Sequence, residues 1–277
     1  MTSVRQLLHE ALNLPGDSAR RDAEILLCHT LGKPRSWLYT WPEAEPSSEE
    51  EDAYRWLLER RRLGQPVAYL TGEREFWSLP LAVNEHTLIP RPETETLVEW
   101  TLQLDLPATA SVLDLGTGSG AIALALASER PGWSVTACDI SDEALALARS
   151  NAKRLELENV ECVASDWLDK FQAQSFDLLV SNPPYVEEGD LHIQRGDLRF
   201  EPRNALVSGV DGLDDLRRIV CSAGAHLNPG GWLLLEHGFN QDAAVRGLLS
   251  DAGFDSVATR ADLNGQPRVT GGRWHVD

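Results

Sequence analysis

Ser111-Val112-Leu113-Asp114-Leu115-Gly116-Thr117-Gly118-Ser119-Gly120 is the stretch that decides the fold of this chain. Its first five residues read as a short buried strand, and residues 121–127 after the glycines are strong helix formers. Glycine lets the backbone approach a ligand closely, and the start of a helix presents free N–H groups to an anion. We therefore predict that this glycine turn, residues 116–120, binds a cofactor.

A second apolar run, residues 135–138, ends in Asp139, where an acid can accept hydrogen bonds from both hydroxyls of a ribose. A dinucleotide would suit these elements, but the glycines alternate instead of following the Gly-x-Gly-x-x-Gly spacing. Asp114, just ahead of the turn, would repel a pyrophosphate and would suit the positive sulfonium of S-adenosylmethionine. We therefore favour S-adenosylmethionine as the cofactor.

Asn182-Pro183-Pro184-Tyr185 follows the apolar run of residues 176–181 and carries most of the chemical information. Proline fixes φ and holds the residue before it extended, so Asn182 and Pro183 are both extended. The side-chain oxygen of Asn182 and the carbonyl of Pro183 then form a pair of acceptors that matches an –NH2 group. Tyr185 offers a flat face to a planar amide or base. The alternative is a simple turn after a buried strand.

Length and composition limit the class of protein. At 277 residues the chain suits roughly two domains. No stretch approaches the ~18 apolar residues of a membrane span, and residues 1–10 lack a signal-peptide core, so we expect a soluble cytoplasmic protein. The four cysteines and seven histidines show no metal-ligand spacing. We predict no metal.

The acidic charge of the chain bears on its partners. The formal net charge is −18; residues 1–75 hold 10 basic and 13 acidic side chains, and residues 76–277 hold 15 and 30. Proteins that grip duplex DNA neutralise phosphates with clustered Lys and Arg, so we expect no direct binding to duplex DNA. The basic triplet Arg60-Arg61-Arg62 falls in the last turn of a predicted helix, and we interpret it as a solvated helix end.

The periodicity of apolar residues changes near residue 75, where a helical pattern ends. Residues 1–75 are predicted to form a small helical domain, in which Val4, Leu7, Leu8, Ala11 and Leu12 share one helix face. Ser48-Glu49-Glu50-Glu51 reads as a capping box before a helix that ends at Gly64. Residues 76–92 look like an extended or hairpin linker. Residues 93–277 alternate strands and helices, which predicts an α/β domain whose parallel sheet has helices on both faces. Its later strands are expected at residues 160–164, 176–181, 232–235, 256–259 and 273–276.

Further motifs lie at residues 66–72, 75–79, 88–95, 164–167, 199–202 and 233–238. Together with the glycine turn and the Asn182 loop, they closely resemble the protein-(glutamine-N5) methyltransferases of the HemK/PrmC type. The Asn-Pro-Pro-Tyr loop is shared with adenine-N6 DNA methyltransferases, whereas residues 66–95 are much more specific. The resemblance implies a class I S-adenosylmethionine-dependent methyltransferase fold, a Rossmann-like sheet with a small N-terminal helical substrate-binding domain. It also implies that the substrate is the glutamine of the Gly-Gly-Gln motif in class 1 peptide chain release factors.

The same resemblance implies roles for individual residues. The glycine turn binds the methionine part of the cofactor, Asp139 binds its ribose, and Trp167 packs on the adenine. Asn182 also belongs to the cofactor site. Asn182, Pro183, Pro184 and Tyr185 hold the glutamine amide, and Asn182, Pro183 and Tyr185 are the predicted catalytic residues. The roles of two neighbours stay open: Asp114 either caps the glycine turn or lies beside the ligand, and Arg91 belongs either to a domain joint or to the floor of the site.

Two alternative functions use the same residues differently. An adenine-N6 DNA or RNA methyltransferase would apply the Asn182 loop to a flipped base. The acidity of residues 76–277 counts against it. A non-catalytic cofactor-binding module would keep the fold without methyl transfer. The intact Asn182–Tyr185 loop counts against that second alternative.

Overall fold

The computed structural model describes residues 2–11, 14, 18–172, 174–194 and 196–275, and it divides into two compact units. The smaller unit is Met1–Glu73 together with Ile193–Phe200, and the larger unit is Arg74–His192 together with Glu201–Asp277. Leu12 and Val276, predicted from the sequence to lie on a helix face and in a strand, are outside the described residues.

The smaller unit is helical. Its helices are α1 Val4–Glu10, α2 Ala19–Leu31, α3 Arg35–Thr40, α4 Ser48–Arg62 and α5 Val67–Thr71. Their apolar faces meet in one core, which includes Leu7, Leu26, Tyr54 and Leu58, each almost fully buried. Burying each of these leucine side chains contributes ~1.5–3 kcal/mol relative to an exposed position, and such burial stabilises helices that are too short to be stable alone.

The capping box of α4 lies one residue earlier than predicted. Ser47 Oγ accepts a hydrogen bond from the Glu50 amide at 3.2 Å, and Glu50 Oε2 accepts one from the Ser47 amide at 2.8 Å. Glu51, the expected partner of Ser48, accepts a hydrogen bond from the Thr2 hydroxyl at 2.7 Å instead. The prediction at Ser48 was wrong because Ser-Ser-Glu-Glu-Glu contains two overlapping matches, and a contact with a distant residue selects between them.

Arg61 also differs from the sequence-based interpretation. The basic triplet does occupy the last turn of α4, but the Arg61 side chain is only 12% exposed. Its Nε donates to Asp22 Oδ2 and its Nη1 to Asp197 Oδ1, both at 2.8 Å. The solvated interpretation was therefore wrong for Arg61, which ties α4 to α2 and to the segment Ile193–Phe200 within the same unit.

A two-stranded hairpin, β1 Glu73–Phe76 and β2 Leu79–Ala82, lies at the start of the larger unit, and all of its residues after Glu73 belong to that unit. The two residues between the strands, Trp77 and Ser78, have φ of 51° and 60°, the left-handed values that a two-residue turn of this kind requires. The Trp77 amide donates to Glu95 Oε1 at 2.9 Å, and its indole N–H donates to Glu129 Oε1 at 2.7 Å. These two bonds hold the turn in a conformation that tryptophan seldom adopts.

A seven-stranded sheet forms the centre of the larger unit. Its strands, given in chain order, are β3 Ser111–Leu115, β4 Ser134–Asp139, β5 Val160–Ala164, β6 Phe176–Ser181, β7 Leu227–Glu236, β8 Phe254–Ala261 and β9 Pro267–Trp274. The spatial order is β5-β4-β3-β6-β7-β9-β8. The first five strands in that order run parallel, and β9 runs antiparallel to both of its neighbours.

The predicted strand at residues 273–276 was misplaced, since β9 begins at Pro267. Gly271 and Gly272 interrupt the alternation of side chains that is typical of a strand, so the sequence did not indicate one at residues 267–272. They stand opposite Leu234 and Leu233 of β7. A Cβ on Gly271 would lie 2.2 Å from the Leu234 side chain. The glycines therefore mark a close approach between β9 and β7.

Helices cover both faces of the sheet. They are α6 Glu95–Gln103, α7 Ala121–Glu129, α8 Asp142–Arg154, α9 Asp214–Ala223 and α10 Asp242–Asp251. Alternate residues of β3 point to opposite faces: Val112 packs in the core with α6 and α7, and Leu113 in the core with α9 and α10. The predicted α/β architecture is confirmed. Among the helices of the described residues, none has the length and apolar character needed to span a membrane.

Candidate active site

A cavity of about 370 Å³ lies at the carboxyl ends of the parallel strands in the larger unit. Ligands of open α/β sheets bind at this edge. The predicted residues that line the cavity are Gly116, Thr117, Gly118, Ser119, Asp139, Trp167, Asn182 and Pro184. Gly120, Pro183 and Tyr185 are not among its lining residues. Side chains from four strand ends therefore converge on one space.

The glycine turn needs glycine for different reasons at different positions. Gly116 and Gly118 have φ of 72° and 56°, in the left-handed region that favours glycine. A Cβ on Gly116 would lie 3.1 Å from the Trp167 ring, whereas one on Gly118 would meet nothing within 4 Å. Gly120 also has a left-handed φ, of 88°, and a Cβ there would in addition lie 2.9 Å from the Leu124 side chain of the helix that follows.

Asp139 is fixed by the turn that it faces. Its Oδ2 accepts a hydrogen bond from the Gly118 amide at 2.9 Å, and its Oδ1 accepts one from the Ser141 amide at 3.0 Å. Each carboxylate oxygen has a further lone pair, so both can still accept hydrogen bonds from a ligand. The side chain is half-buried in the cavity wall. A pair of neighbouring hydroxyls fits this arrangement.

Asp114 caps the glycine turn through hydrogen bonds with the turn and with the start of α7. Its Oδ2 accepts hydrogen bonds from the Thr117 hydroxyl at 2.6 Å and from the Ala123 amide at 3.2 Å. Complete burial raises the pKa of Asp114 to about 7, against the opposing effect of these two donors. Its Oδ1 is buried and has no hydrogen-bond partner among the described residues. The residue therefore fills the capping role and also keeps one oxygen for a further donor.

Trp167 sits in an unusual backbone conformation, with φ of 48°. Its carbonyl accepts a hydrogen bond from the Ser165 hydroxyl at 2.8 Å, and its ring packs over Gly116. Asp166 beside it forms two hydrogen bonds of 2.8 Å with the Arg218 guanidinium. A left-handed non-glycine residue costs about 1–3 kcal/mol and persists where its surroundings hold it, often at a ligand site.

The Asn182 loop presents its residues to different surroundings. Asn182 lines the cavity, and its Nδ2 donates to Thr94 Oγ1 at 3.2 Å. Pro183 is buried. The Tyr185 ring packs against the core on the α9 and α10 face, and its hydroxyl donates to Glu236 Oε1 at 3.3 Å. Burial raises the pKa of Tyr185. Its predicted role as a flat surface for the substrate stays a prediction.

Two contacts at the site could not be predicted from the sequence, although Arg91 itself was a candidate for the floor of the site. Arg91 lines the cavity and pairs with the buried Glu201, whose other oxygen accepts a hydrogen bond from the Ile89 amide at 3.1 Å. Thr94 holds Asn182, and both contacts join segments far apart in the chain. Arg91 and Glu201 lie in the motifs at residues 88–95 and 199–202, and each precedes a proline, which marks an extended segment but not a partner.

The residues of the cavity fit S-adenosylmethionine. The carboxylate of Asp139 matches the ribose hydroxyls, and the Trp167 ring offers a face to the adenine. The space beside Gly118 is free of atoms within 4 Å of its Cβ position, as the close approach of a ligand requires. Across the described residues there is no group of three His, Cys, Asp or Glu side chains arranged to hold a metal ion. The absence of a metal stays a prediction.

The whole chain is similar to proteins of known family. It is 53% identical over 274 residues to "Release factor glutamine methyltransferase" of Pseudomonas aeruginosa, which covers 99% of each chain. The protein of the same name from Shewanella oneidensis is 49% identical and covers 97% of this chain and 94% of the relative. Residues 2–72 match the family model described as "PrmC N-terminal domain", and residues 93–198 match "Methyltransferase small domain".

A solved structure supports the fold independently. The chain aligns with "Methyltransferase from Pyrococcus furiosus" with a TM-score of 0.55 and 20% identity, over 72% of this chain and 90% of the other. At this identity the likeness concerns the fold alone, and it is the class I methyltransferase fold that the sequence predicts. With two full-length relatives near half identity, the predicted resemblance is confirmed: this chain belongs to the family of release factor glutamine methyltransferases.

Proposed function

We propose that this protein transfers a methyl group from S-adenosylmethionine to the side-chain amide nitrogen of the glutamine in the Gly-Gly-Gln motif of class 1 peptide chain release factors. Full-length relatives named for this activity support the proposal. The observation that carries it within the site is that Asn182 lines the same cavity as Gly118, Asp139 and Trp167. A residue able to hold an amide thus lies beside the features that fit the methyl donor.

The chemistry requires an amide nitrogen to act as a nucleophile. Its lone pair is delocalised into the neighbouring carbonyl, so the free amide attacks poorly. Asn182 Oδ1 and the Pro183 carbonyl can accept one hydrogen bond each from the –NH2 group, which holds the nitrogen and enriches its electron density. S-adenosylmethionine supplies an electrophilic methyl group on a positively charged sulfur. Positioning of the two reactants is the main contribution of the protein.

The nitrogen must also lose a proton. A methylated amide is a strong acid while it carries its extra proton, so it releases that proton without a strong base. A histidine next to the reacting nitrogen is therefore not required, and the Asn182 loop contains none. The acceptors on Asn182 and Pro183 stabilise the positive charge that develops on the nitrogen.

We also propose a division of labour along the chain. Residues 1–75 bind the release factor as a helical substrate-binding domain, residues 76–92 link the parts, and residues 93–277 carry out methyl transfer. The protein acts in the cytoplasm, where release factors work at the ribosome. The net charge of −18 opposes binding to duplex DNA. The alternatives of an adenine-N6 methyltransferase and a non-catalytic module are not favoured by the names of the full-length relatives.

Methyl transfer with a labelled donor tests this function. The protein is mixed with S-adenosylmethionine that carries a labelled methyl group, and a class 1 release factor, duplex DNA and RNA are offered separately. We expect label in the release factor alone. A release factor whose Gly-Gly-Gln glutamine is replaced by alanine is the matched control and should stay unlabelled. Label in DNA or RNA, or none in the intact release factor, would refute the proposal.

A further inference from the structure

Glu236 places a buried carboxyl directly behind the Asn182 loop. It is the last residue of β7, and its neighbour Leu235 pairs with Ser181 of β6, the residue before Asn182. The side chain is almost fully buried. Its Oε1 accepts a hydrogen bond from the Tyr185 hydroxyl at 3.3 Å. Its Oε2 is buried and has no hydrogen-bond partner of good geometry among the described residues. A carboxyl is costly to bury, so this one calls for an explanation.

Thr94 connects this carboxyl to Asn182. The Thr94 hydroxyl accepts a hydrogen bond from Asn182 Nδ2 at 3.2 Å. Because its oxygen is the acceptor in that bond, its own hydrogen must point elsewhere. The Thr94 hydroxyl lies near enough to the Glu236 carboxyl to lower the pKa of that carboxyl as a donor does, and Oε2 of Glu236 is the buried acceptor that has no partner of good geometry. We therefore infer that the Thr94 hydrogen points to Glu236, so that the donors run in one direction, from the Asn182 amide through Thr94 to the carboxyl.

This direction fixes which end of the Asn182 amide faces the cavity. With Nδ2 engaged by Thr94, Oδ1 remains for a ligand, and an acceptor is what a substrate –NH2 group requires. In the reversed amide, Oδ1 would face Thr94 and Nδ2 would face the substrate, which places one donor against another. A carboxyl oxygen that carries no hydrogen can only accept a hydrogen bond, so it orients the Thr94 hydroxyl and disfavours the reversed amide.

We propose that Glu236 and Thr94 are positioning residues for methyl transfer: the carboxyl orients the Thr94 hydroxyl, and the hydroxyl holds Asn182 with its oxygen toward the substrate amide. The same carboxyl anchors Tyr185, so one group behind the sheet edge sets both ends of the Asn182–Tyr185 loop. The inference rests on the proposed function, since it concerns the amide that Asn182 receives. Neither residue is needed to explain the cofactor site.

The Thr94 hydroxyl can be removed without disturbing a helix cap. Thr94 stands at the start of α6, but its side chain forms no capping hydrogen bond. Thr94→Val keeps the shape and removes the hydroxyl, and Thr94→Ser keeps the hydroxyl. Thr101→Val is the matched control, because Thr101 is a buried threonine in α6, the helix that Thr94 precedes, and its hydroxyl has no partner of good geometry among the described residues. Glu236→Gln keeps the volume and replaces an acceptor with a donor.

Steady-state kinetics with the release factor, together with calorimetry for S-adenosylmethionine, tests the proposal. We expect Thr94→Val and Glu236→Gln to lower kcat by about tenfold to a hundredfold, the range that misplacement of a reacting group produces. The dissociation constant of S-adenosylmethionine should stay within about twofold, since Asn182 contacts the substrate amide more than the bulk of the cofactor. Thr94→Ser should recover most of the activity, and Thr101→Val should behave like the wild type.

Two results would overturn the proposal. One is an unchanged kcat in Thr94→Val, and the other is an equal loss in Thr94→Ser and Thr94→Val, which would show that bulk and not the hydroxyl matters. Should Glu236→Gln fail to fold, the comparison of Thr94→Ser with Thr94→Val still tests whether the Thr94 hydroxyl is required for activity. Failure of the proposed function would look different, because the wild type itself would then leave the release factor unmethylated.

Discussion

Two acceptors dominate the site at the scale of single residues: the side-chain oxygen of Asn182 and the carboxylate of Asp139. Both residues could be selected from the sequence, because each directly follows an apolar run that reads as a buried strand. Their partners could not. Asn182 depends on Thr94, 88 residues away, and Tyr185 on Glu236, 51 residues away. Such pairings arise from the packing of strands, which periodicity does not encode. Glu236 lies in the motif at residues 233–238 and directly follows the apolar run 232–235, but neither signal indicates its contact with Tyr185.

Replacing Asn182 by alanine should abolish methyl transfer while leaving the affinity for S-adenosylmethionine nearly intact. The reason is that Asn182 contacts the substrate amide more than the bulk of the cofactor. Turnover is measured with the release factor, and affinity by titration calorimetry. Asn264→Ala, at an exposed turn between β8 and β9, is the control and should keep both properties. Turnover near the wild-type rate in Asn182→Ala would contradict the role given to this residue.

Replacing Asp139 by alanine should instead weaken the binding of S-adenosylmethionine. Each hydrogen bond to a charged acceptor contributes ~1.5–3 kcal/mol, which corresponds to roughly tenfold or more in affinity. Asp139→Asn keeps the volume and one acceptor oxygen, so its loss should be smaller. Calorimetry gives both dissociation constants. Since the carboxylate also accepts from the Gly118 and Ser141 amides, circular dichroism must show that both variants are folded. An unchanged affinity would refute the ribose assignment.

At the scale of elements, the strongest local patterns predicted the structure best. The strand before the glycine turn, residues 111–115, coincides with β3, because a buried strand followed by alternating glycines has few other interpretations. The capping box was predicted one residue too late, because the choice between Ser47 and Ser48 depends on a contact of Glu51 with Thr2. The antiparallel β9 was misplaced because its two central glycines fit against β7, which is a property of the pair of strands.

The end of β7 should make stability depend on pH through Glu236. Burial raises the pKa of Glu236 to about 7, whereas in the unfolded chain it lies near ~4.3. The folded carboxyl thus binds its proton more tightly. The stabilisation is fully present below the unfolded value and is lost as pH rises through about 7. The free energy of unfolding of the wild type, relative to that of Glu236→Gln, should therefore fall between about pH 4 and about pH 7.

Comparison with Glu236→Gln removes the contributions of other groups. Burial raises the pKa of Asp114 in the same direction, whereas burial lowers the pKa of His237, which destabilises the fold as pH falls. Both effects are shared by the two proteins and cancel in the difference. Urea unfolding at each pH supplies the free energies. A difference that stays constant with pH would show that Glu236 ionises in the folded protein as it does in the unfolded chain.

At the scale of the whole molecule, charge should influence how the substrate is found. Residues 76–277 hold 15 basic and 30 acidic side chains. Release factors work beside ribosomal RNA, and we expect them to carry basic surface. Attraction between oppositely charged surfaces raises the rate of association, and salt screens this attraction over a length of ~10 Å at 0.1 M. Added salt should therefore lower kcat/KM for the intact release factor between low and physiological ionic strength.

A short free peptide bearing Gly-Gly-Gln separates charge from contact geometry. It lacks the remote surface of the release factor, so it should be a poor substrate with a weaker response to salt. Both substrates are measured across one salt series with the same enzyme. A flat response for the intact release factor would show that contact geometry, and not charge, selects the partner.

The most direct test of the central claim is to locate the transferred methyl group. The release factor is incubated with the protein and S-adenosylmethionine, digested, and mapped by tandem mass spectrometry. Methylation of the Gly-Gly-Gln glutamine should be complete with the wild type and missing with Asn182→Ala, and the fragments should place one methyl group on the side-chain nitrogen. A methyl group on any other residue, or an unmodified glutamine after incubation with the wild type, would contradict the claim that Asn182 presents this amide to the methyl donor.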